Sequence, residues 1–250
     1  MIVPLTLSDF LERAELVYGD REAVVDEPNP PGGGLGRFTY AQFGEMSRSL
    51  AAALDDLGVA ENDRVAIVSP NAARFLVSLF GVSVFGRTLV PINFRLHPEE
   101  IRYIIEHSGS SVLLVDPELD ESLRHIPVKH RFVLGAATDP QLFLREGAQP
   151  RLRVTDENAT VSINYTSGTT ARPKGVQLTH RNFWLNGVTF GWHLGMTDRD
   201  VYLHTLPTFH CNGWGMPYAV TGIGARHVII RKIDGEEILR RVEGEGVTLF

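Results

Sequence analysis

Along the chain, short apolar runs rich in Val, Ile and Leu alternate with longer stretches in which apolar residues recur every three or four positions. The short runs predict strands at Ala23–Asp26, Val65–Ser69, Thr88–Pro91, Ser111–Asp116, Arg131–Leu134, Val161–Tyr165, Val201–His204, His227–Arg231 and Val247–Phe250. Several are apolar at successive positions, the pattern of a strand covered on both faces. The longer stretches predict helices and carry their own start and stop signals. Thr39 precedes YAQFGEMSRSLAAALDDLG, with Gln42 at the capping-box position and Gly58 at the end, and Phe43, Met46, Leu50, Leu54 and Leu57 share one face. Pro98 opens EEIRYIIEH, which Gly109 closes, and Asp234 precedes GEEILRRVEGEG with Glu237 three residues on. Strand, helix and strand in this order imply an α/β fold with mostly parallel sheets, right-handed crossovers and helices on both faces.

Two segments interrupt the pattern. Pro28 to Gly36 (PNPPGGGLG) is a loop, and the weakly patterned Gly135 to Pro150 reads as a connection between two βα subdomains, 1–150 and 151–250. Phe75 to Phe85, the longest apolar stretch, is broken by Ser and Gly and is too short to span a bilayer, so it predicts a buried helix. The closing GVTLF reads as a strand with nothing after it. A parallel strand there needs a crossover or an edge, so the second subdomain is expected to be incomplete at its C-terminal end.

Composition narrows the classes. With 43% hydrophobic residues in 250, the chain can bury a sizeable core. A net charge of −6 argues against nucleic acid as a partner, since a phosphate backbone needs clustered Lys and Arg; it leaves room for a nucleotide held by a few local donors. Cys211, the single cysteine, rules out a disulfide framework within the chain and fits a reducing, cytoplasmic setting. The opening MIVPLTLSDF has neither the basic nor the apolar region of a signal peptide, and no transmembrane segment is expected, while peripheral membrane contact stays open.

Two segments concentrate chemistry. Tyr165 to Val176 reads YTSGTTARPKGV and follows an apolar strand. Thr166, Ser167, Gly168, Thr169 and Thr170 offer hydroxyls and exposed backbone N–H groups to phosphate oxygens, and Lys174 adds a compact positive charge. The spacing is not that of a Walker A loop, and composition alone would make this an ordinary surface loop. Leu206 to Gly215 reads LPTFHCNGWG and brings His210, Asn212 and Trp214 near a strand end, where open α/β sheets build ligand sites. His204, His210 and Cys211 match no common zinc spacing. Taken alone, Phe209 and Trp214 would read as core aromatics.

Together these strings are more specific. YTSGTTARPKGV with the following LTHRN (Leu178–Asn182) resembles the phosphate-binding signature of the adenylate-forming (AMP-binding) superfamily: acyl-CoA synthetases, firefly-type luciferases and adenylation domains of peptide synthetases. LPTFH resembles the second signature of that superfamily, and HCNGW is most similar to its fatty-acyl-CoA synthetase branch, the long- and medium-chain fatty-acid–CoA ligases. FTYAQF, DRVAIVSPN, VPINFRL and SVLLVD look like earlier blocks of the same domain, so the resemblance covers nearly the whole chain as an N-terminal portion.

The resemblance implies a ligase that joins a carboxylic acid to AMP and then to a thiol, with ATP and Mg²⁺ required and CoA as co-substrate. Lys174 and His210 would be the catalytic side chains, with Thr166–Thr170 and Lys174 on the β- and γ-phosphates. Mg²⁺ would be met by Thr166 or Thr170 together with an acid absent from this chain. His210, Cys211, Asn212 and Gly213 would line the acid pocket and Trp214 would gate it. The resemblance leaves homodimer formation open. Ala171 stands where the family usually has glycine, and Ala171→Gly is expected to leave turnover equal or higher in a rate assay. The family's adenine- and ribose-binding segments, hinge and lid are missing, so the 250 residues alone are expected to turn over poorly or not at all. Two alternatives stand beside this reading. Adenylation of an amino or aryl acid is one, although LPTFHCNGW carries no acid to meet an α-amine. A non-catalytic nucleotide-binding module is the other.

Overall fold

The computed structural model describes residues 3–166 and 172–250. In chain order its elements are α1 (Ser8–Tyr18), β1 (Glu22–Val25), β2 (Arg37–Thr39), α2 (Tyr40–Asp56), β3 (Arg64–Val68), α3 (Ala73–Ser83), β4 (Thr88–Ile92), α4 (Pro98–Ser108), β5 (Val112–Val115), α5 (Asp120–Leu123), β6 (His130–Val133) and α6 (Asp139–Leu142). They continue with β7 (Thr160–Thr166), β8 (Lys174–Thr179), α7 (His180–His193), β9 (Val201–His204), α8 (Cys211–Trp214), α9 (Met216–Ile223), β10 (Arg226–Ile229) and α10 (Gly235–Glu245). The strands form two sheets, one ordered β2-β1-β10-β9 and the other β6-β5-β3-β4-β7-β8. Each is parallel except for one antiparallel edge strand, β2 in the first and β8 in the second.

Side-chain alternation along the strands builds the layers. Val65 and Ile67 of β3, Leu89 of β4 and Val112 and Leu114 of β5 face a core shared with Phe43, Leu50, Phe75, Leu79 and Phe80 of α2 and α3. Val24 of β1 and Ile229 of β10 enter the same core from the other sheet, so α2 and α3 lie between the sheets. Their neighbours Ala66, Val68, Val90, Leu113 and Val115 point the other way, onto Ile101, Ile104 and Ile105 of α4. On the outside of the smaller sheet, Val25, Leu203, Val228 and Ile230 meet Ile238 of α10. Helix, sheet, helices, sheet, helix is the result, with every residue of α3 buried, Ser78 and Ser83 included. Where α3 crosses α2, a Cβ on Gly81 would stand 2.9 Å from the Ser47 carbonyl oxygen, so only glycine allows that approach. Among the described residues no helix is long and apolar enough to cross a membrane.

Local signals act as the sequence implies. Thr39 and Gln42 form a reciprocal capping box on α2, Pro98 sits in the first turn of α4, and Gly109 closes α4 in the left-handed region. Asp234 accepts from the Glu237 N–H at the start of α10. The two irregular segments are tied to one another: the Ala136 N–H reaches the Gly32 carbonyl at 2.8 Å, and buried Arg74 grips Asp139 through two nitrogens while donating to the Gly33 carbonyl at 2.7 Å.

The structure corrects three expectations. Each sheet takes strands from both sides of residue 150, so a division at that point does not separate two packed units. The cause is twofold: β1 pairs with β10 of the second half, and β7, with β8 beyond it, pairs with β4 of the first. Val247–Phe250 is not a strand; Leu249 makes only an isolated parallel bridge to Tyr202. Finally, β2, β8, α1, α7 and α9 are regular elements that the pattern analysis did not separate from their surroundings.

Candidate active site

The phosphate-loop string runs from the end of β7 to the start of β8. β7 and β8 pair antiparallel, and their register sets Thr166 directly opposite Lys174. Thr166 and Lys174 are exposed, so a hydroxyl and an ammonium sit side by side at the open end of a two-stranded stem. Ser167, Gly168, Thr169, Thr170 and Ala171, also expected in this loop, lie outside the described residues. The loop end of the stem touches α4 from both sides: the Tyr165 hydroxyl is 2.8 Å from His107 Nδ1, and the Arg172 guanidinium lies 5.6 Å from the Tyr103 ring centroid. With a strand's period of two, Ser162, Asn164 and Thr166 share one face of β7 while Ile163 and Tyr165 pack on the α4 side.

The second string begins at the C-terminal end of β9 and crosses to the larger sheet. Asn71, after β3, donates to the carbonyls of His204 (2.9 Å) and Leu206 (3.0 Å) and accepts from the Thr208 N–H and hydroxyl at 2.8 and 2.9 Å. His210 is exposed, with Nε2 3.8 Å from the Cys211 sulfur. The chain then runs left-handed: φ is +47° at Cys211, +48° at Asn212, +62° at Gly213, +59° at Trp214 and +75° at Gly215. Three of these residues carry a Cβ, at a cost of about 1–2 kcal/mol each. Such strain persists only where the surroundings fix it, and it gathers at functional sites.

The carboxamide of Asn212 supplies that fixing. The residue is fully buried; its oxygen accepts from Ser162 Oγ at 3.2 Å and Asn164 Nδ2 at 3.1 Å, and its nitrogen donates to the Tyr218 hydroxyl at 3.0 Å. Burial pushes the Tyr218 hydroxyl far above the ordinary phenol range, so it stays a neutral partner. The turn therefore presents Cys211 and Trp214 outward. They line a pocket of about 400 Å³ with Leu178, Phe183, Asn186 and Phe190, and the Trp214 ring, 53% exposed as a residue, lies 6.4 Å from that of Phe190.

Thus the structure brings Thr166, Lys174, His210, Cys211 and Trp214 to the exposed side of one region, because the strand carrying Thr166 is bonded to the turn that follows His210. Asn212 and Gly213, expected to line the pocket, are buried beneath it. Their backbone conformation turns them inward, and Asn212 makes three hydrogen bonds with the protein interior. Ser162, Asn164, Asn71 and Tyr218 were not anticipated. The signal was present in β7, where two polar side chains interrupt a strand that has to be covered. His204, considered with His210 and Cys211 as a metal ligand, faces the core and meets His227 Nδ1 at 2.9 Å.

A second concavity of about 610 Å³ opens between the sheets at the C-terminal ends of β3, β4, β9 and β10. Asn71, Phe94, Arg95, Phe209, Arg231 and Lys232 line it. The Arg95 guanidinium lies 5.0 Å from the Phe94 ring and 5.8 Å from the Phe209 ring. Arg231 is held by both oxygens of Asp116, at 2.7 and 2.8 Å, and so joins the smaller sheet to the larger. Cations and ring faces at strand ends suit an anion that carries an aromatic ring.

Over residues 11–250 the chain matches the family described as AMP-binding enzyme. The chain belongs to that family. A long-chain-fatty-acid–CoA ligase of Thermus thermophilus is 37% identical over 98% of this chain and 47% of its own length. A peroxisomal butyrate–CoA ligase, AAE11, of Arabidopsis thaliana is 35% identical over 98% of this chain and 46% of its own length. Among solved structures, a long-chain-fatty-acid–CoA ligase (FadD1) of Archaeoglobus fulgidus overlays with a TM-score of 0.89 at 24% identity, covering 99% of this chain and 52% of that one. The inhibitor-bound N-terminal domain of FACL13 from Mycobacterium tuberculosis overlays at 0.85 with 26% identity, covering 97% of this chain and 61% of that one. The chain spans about half the length of the curated relatives it matches.

Proposed function

We propose that the protein is an AMP-forming acid–thiol ligase that activates a fatty acid with ATP and passes the acyl group to CoA. The observation that carries this reading is the bonding of Asn164 to Asn212 at 3.1 Å, which ties the strand leading to Thr166 to the turn that carries Trp214. The apolar walls of that pocket, Leu178, Phe183, Phe190 and Trp214, suit an alkyl chain, and the relatives named above act on butyrate and on long-chain fatty acids.

In the first step a carboxylate oxygen bonds to the α-phosphorus of ATP while the bond from that phosphorus to the bridging oxygen breaks, releasing pyrophosphate. In the second, the thiol sulfur bonds to the acyl carbon, the bond to AMP breaks and the thiol proton leaves. Catalysis of this kind is positioning and charge neutralisation. Lys174 and Thr166 would hold the outer phosphates, and His210 would face the carboxylate and the acyl-adenylate. The cleft with Arg95 and Lys232 would take a phosphorylated co-substrate. Mg²⁺ keeps mostly water and phosphate oxygens, so one hydroxyl from this chain, that of Thr166 or of Thr170, would join an acid from elsewhere in the complete protein in holding it. When bound it neutralises phosphate charge. The described residues hold no group of three or more side chains that could form a metal site by themselves.

Acid-dependent exchange of pyrophosphate into ATP by the complete protein tests the proposal. Lys174→Ala is expected to lower kcat/KM for ATP about 10- to 100-fold, the worth of one charge-assisted hydrogen bond. His210→Ala is expected to act on the acid instead. Exchange with amino acids and not with fatty acids, or an unchanged Lys174→Ala enzyme, would refute it.

A further inference from the structure

We propose that Asn71 and Asn212 are positioning residues: two buried carboxamides that brace the span between them and so hold His210 and Trp214 in place. This rests on the reading of His210 as the side chain that faces the carboxylate. The span leaves β9 in the smaller sheet and has to be fixed against the larger one. Asn71 fixes its first part, using both N–H groups on the carbonyls of His204 and Leu206 and its oxygen on Thr208. Asn212 fixes the second part from inside the span, tying the left-handed turn to Ser162 and Asn164 of β7 and to Tyr218 of α9. Both asparagines are buried, at 7% and 0% exposure, and their hydrogen bonds are made within the protein, so both carboxamides are directed at the fold. His210 and Trp214 lie directly beside these anchors and face outward.

Thr208 fits the same account. Its hydroxyl donates to Asn71 Oδ1 at 2.9 Å, which a bulkier apolar residue in that place could not do. Asparagine is also the side chain that best accepts the left-handed backbone at 212, so one residue serves the conformation and its anchor together.

The test separates the brace from direct contact. In the complete protein, Asn212→Gly keeps the backbone freedom and removes the carboxamide. With every other tryptophan of the complete protein, Trp184 and Trp192 among them, replaced by Phe, Trp214 fluorescence reports the turn. The expected result is greater quenching of Trp214 by acrylamide, and kcat/KM for the fatty acid lower by about tenfold with KM for ATP little changed. In a His210→Ala background the same substitution should change kcat/KM by less than about twofold, because its effect passes through the missing imidazole. Asn71→Ala should behave alike. Tyr218→Phe, which removes one hydrogen bond, should give a smaller shift of the same kind if Asn212→Gly fails to fold. Unmoved Trp214, or losses that multiply in full with His210→Ala, would overturn the brace. If the protein shows no acid-dependent activity at all, the ligase reading fails; the Trp214 quenching then still decides the brace, movement supporting it and no movement overturning it.

Discussion

Asp55→Asn is expected to lower the unfolding free energy by about 3–5 kcal/mol, because it strands a guanidinium in the core. Arg87, just before β4, has 1% exposure, and its charge is met entirely from within: Asp55 Oδ1 at 2.5 Å, the Val59 carbonyl at 2.8 and 3.0 Å, and the Ala51 carbonyl at 3.2 Å. Asp55 lies in the last turn of α2, the end of a helix that disfavours an anion, so the carboxylate itself depends on the arginine. Arg87→Ala should cost a similar amount, since it leaves the Val59 and Ala51 carbonyls without this donor and the carboxylate with only the Arg151 N–H at 2.6 Å. The informative variant is the double replacement Arg87→Met with Asp55→Leu. Removing both charges from the core removes both desolvation penalties, so the double variant should recover most of the loss of either single one. Urea unfolding of the three proteins checks this. If the double variant loses as much as the two single ones added together, the pair is not acting as a coupled buried charge.

How far the sequence could be read depended on how local the determining interaction is. The capping box at Thr39 and Gln42, the proline and glycine that bound α4, and the largely apolar run of α3 each act within a few residues, and each was legible. The partition into sheets was not. Nothing near Ala23–Val25 says that this strand pairs with His227 and Val228, two hundred residues away, and so the division at residue 150 was misplaced. α7 was missed because HRNFWLNGVTFGWH mixes two glycines and several aromatics around the helix, with no clean apolar face; its glycines Gly187 and Gly191 are buried against α1 and α9. β8 was hidden because KGVQLT is an exposed edge strand whose only partner is β7.

The site divides in the same way. Thr166, Lys174, His210 and Trp214 could be picked out as motif residues, and the structure places all four on the exposed side. Asn212 was read as a ligand contact because a polar residue in a motif invites that reading. Its direction depends on a run of positive φ values, which no residue spacing reveals. Arg74 and Arg95 show the same limit: no local pattern tells them apart, yet one is sealed against Asp139 and the other lines the cleft between the sheets.

The second large effect is expected on acidification. His204 and His227 are both fully buried, joined Nε2 to Nδ1 at 2.9 Å, with His227 Nε2 3.0 Å from the Thr221 hydroxyl. Such a chain needs one proton on each ring, and a further proton on either would put two donors, or a bare charge, against a neighbour with no room for it. Burial accordingly lowers the His204 imidazole to about 3 and holds His227 well below the usual range, the latter also through repulsion from His204. His180, buried at the start of α7 with Nδ1 3.2 Å from the Leu7 N–H, is lowered to about 4 by burial, with Asp156 opposing weakly. In all three the folded pKa lies below that of the unfolded chain, near 6.5. Below that pH the unfolded state binds more protons, so stability is fully present above about pH 7 and is lost as the pH falls toward the folded values. At pH 5 each histidine should have cost about 2 kcal/mol, and the three together about 6, which is comparable with the whole stability of a typical domain. Most carboxylates are still ionised at pH 5, so a fall between pH 7 and 5 reports on imidazoles. Urea midpoints measured across that range should therefore drop steeply. His180→Asn and His227→Asn, which keep a hydrogen-bonding side chain but cannot titrate, should each flatten the drop by about one third. An acid limb unchanged in both variants would mean that the loss of stability has another source.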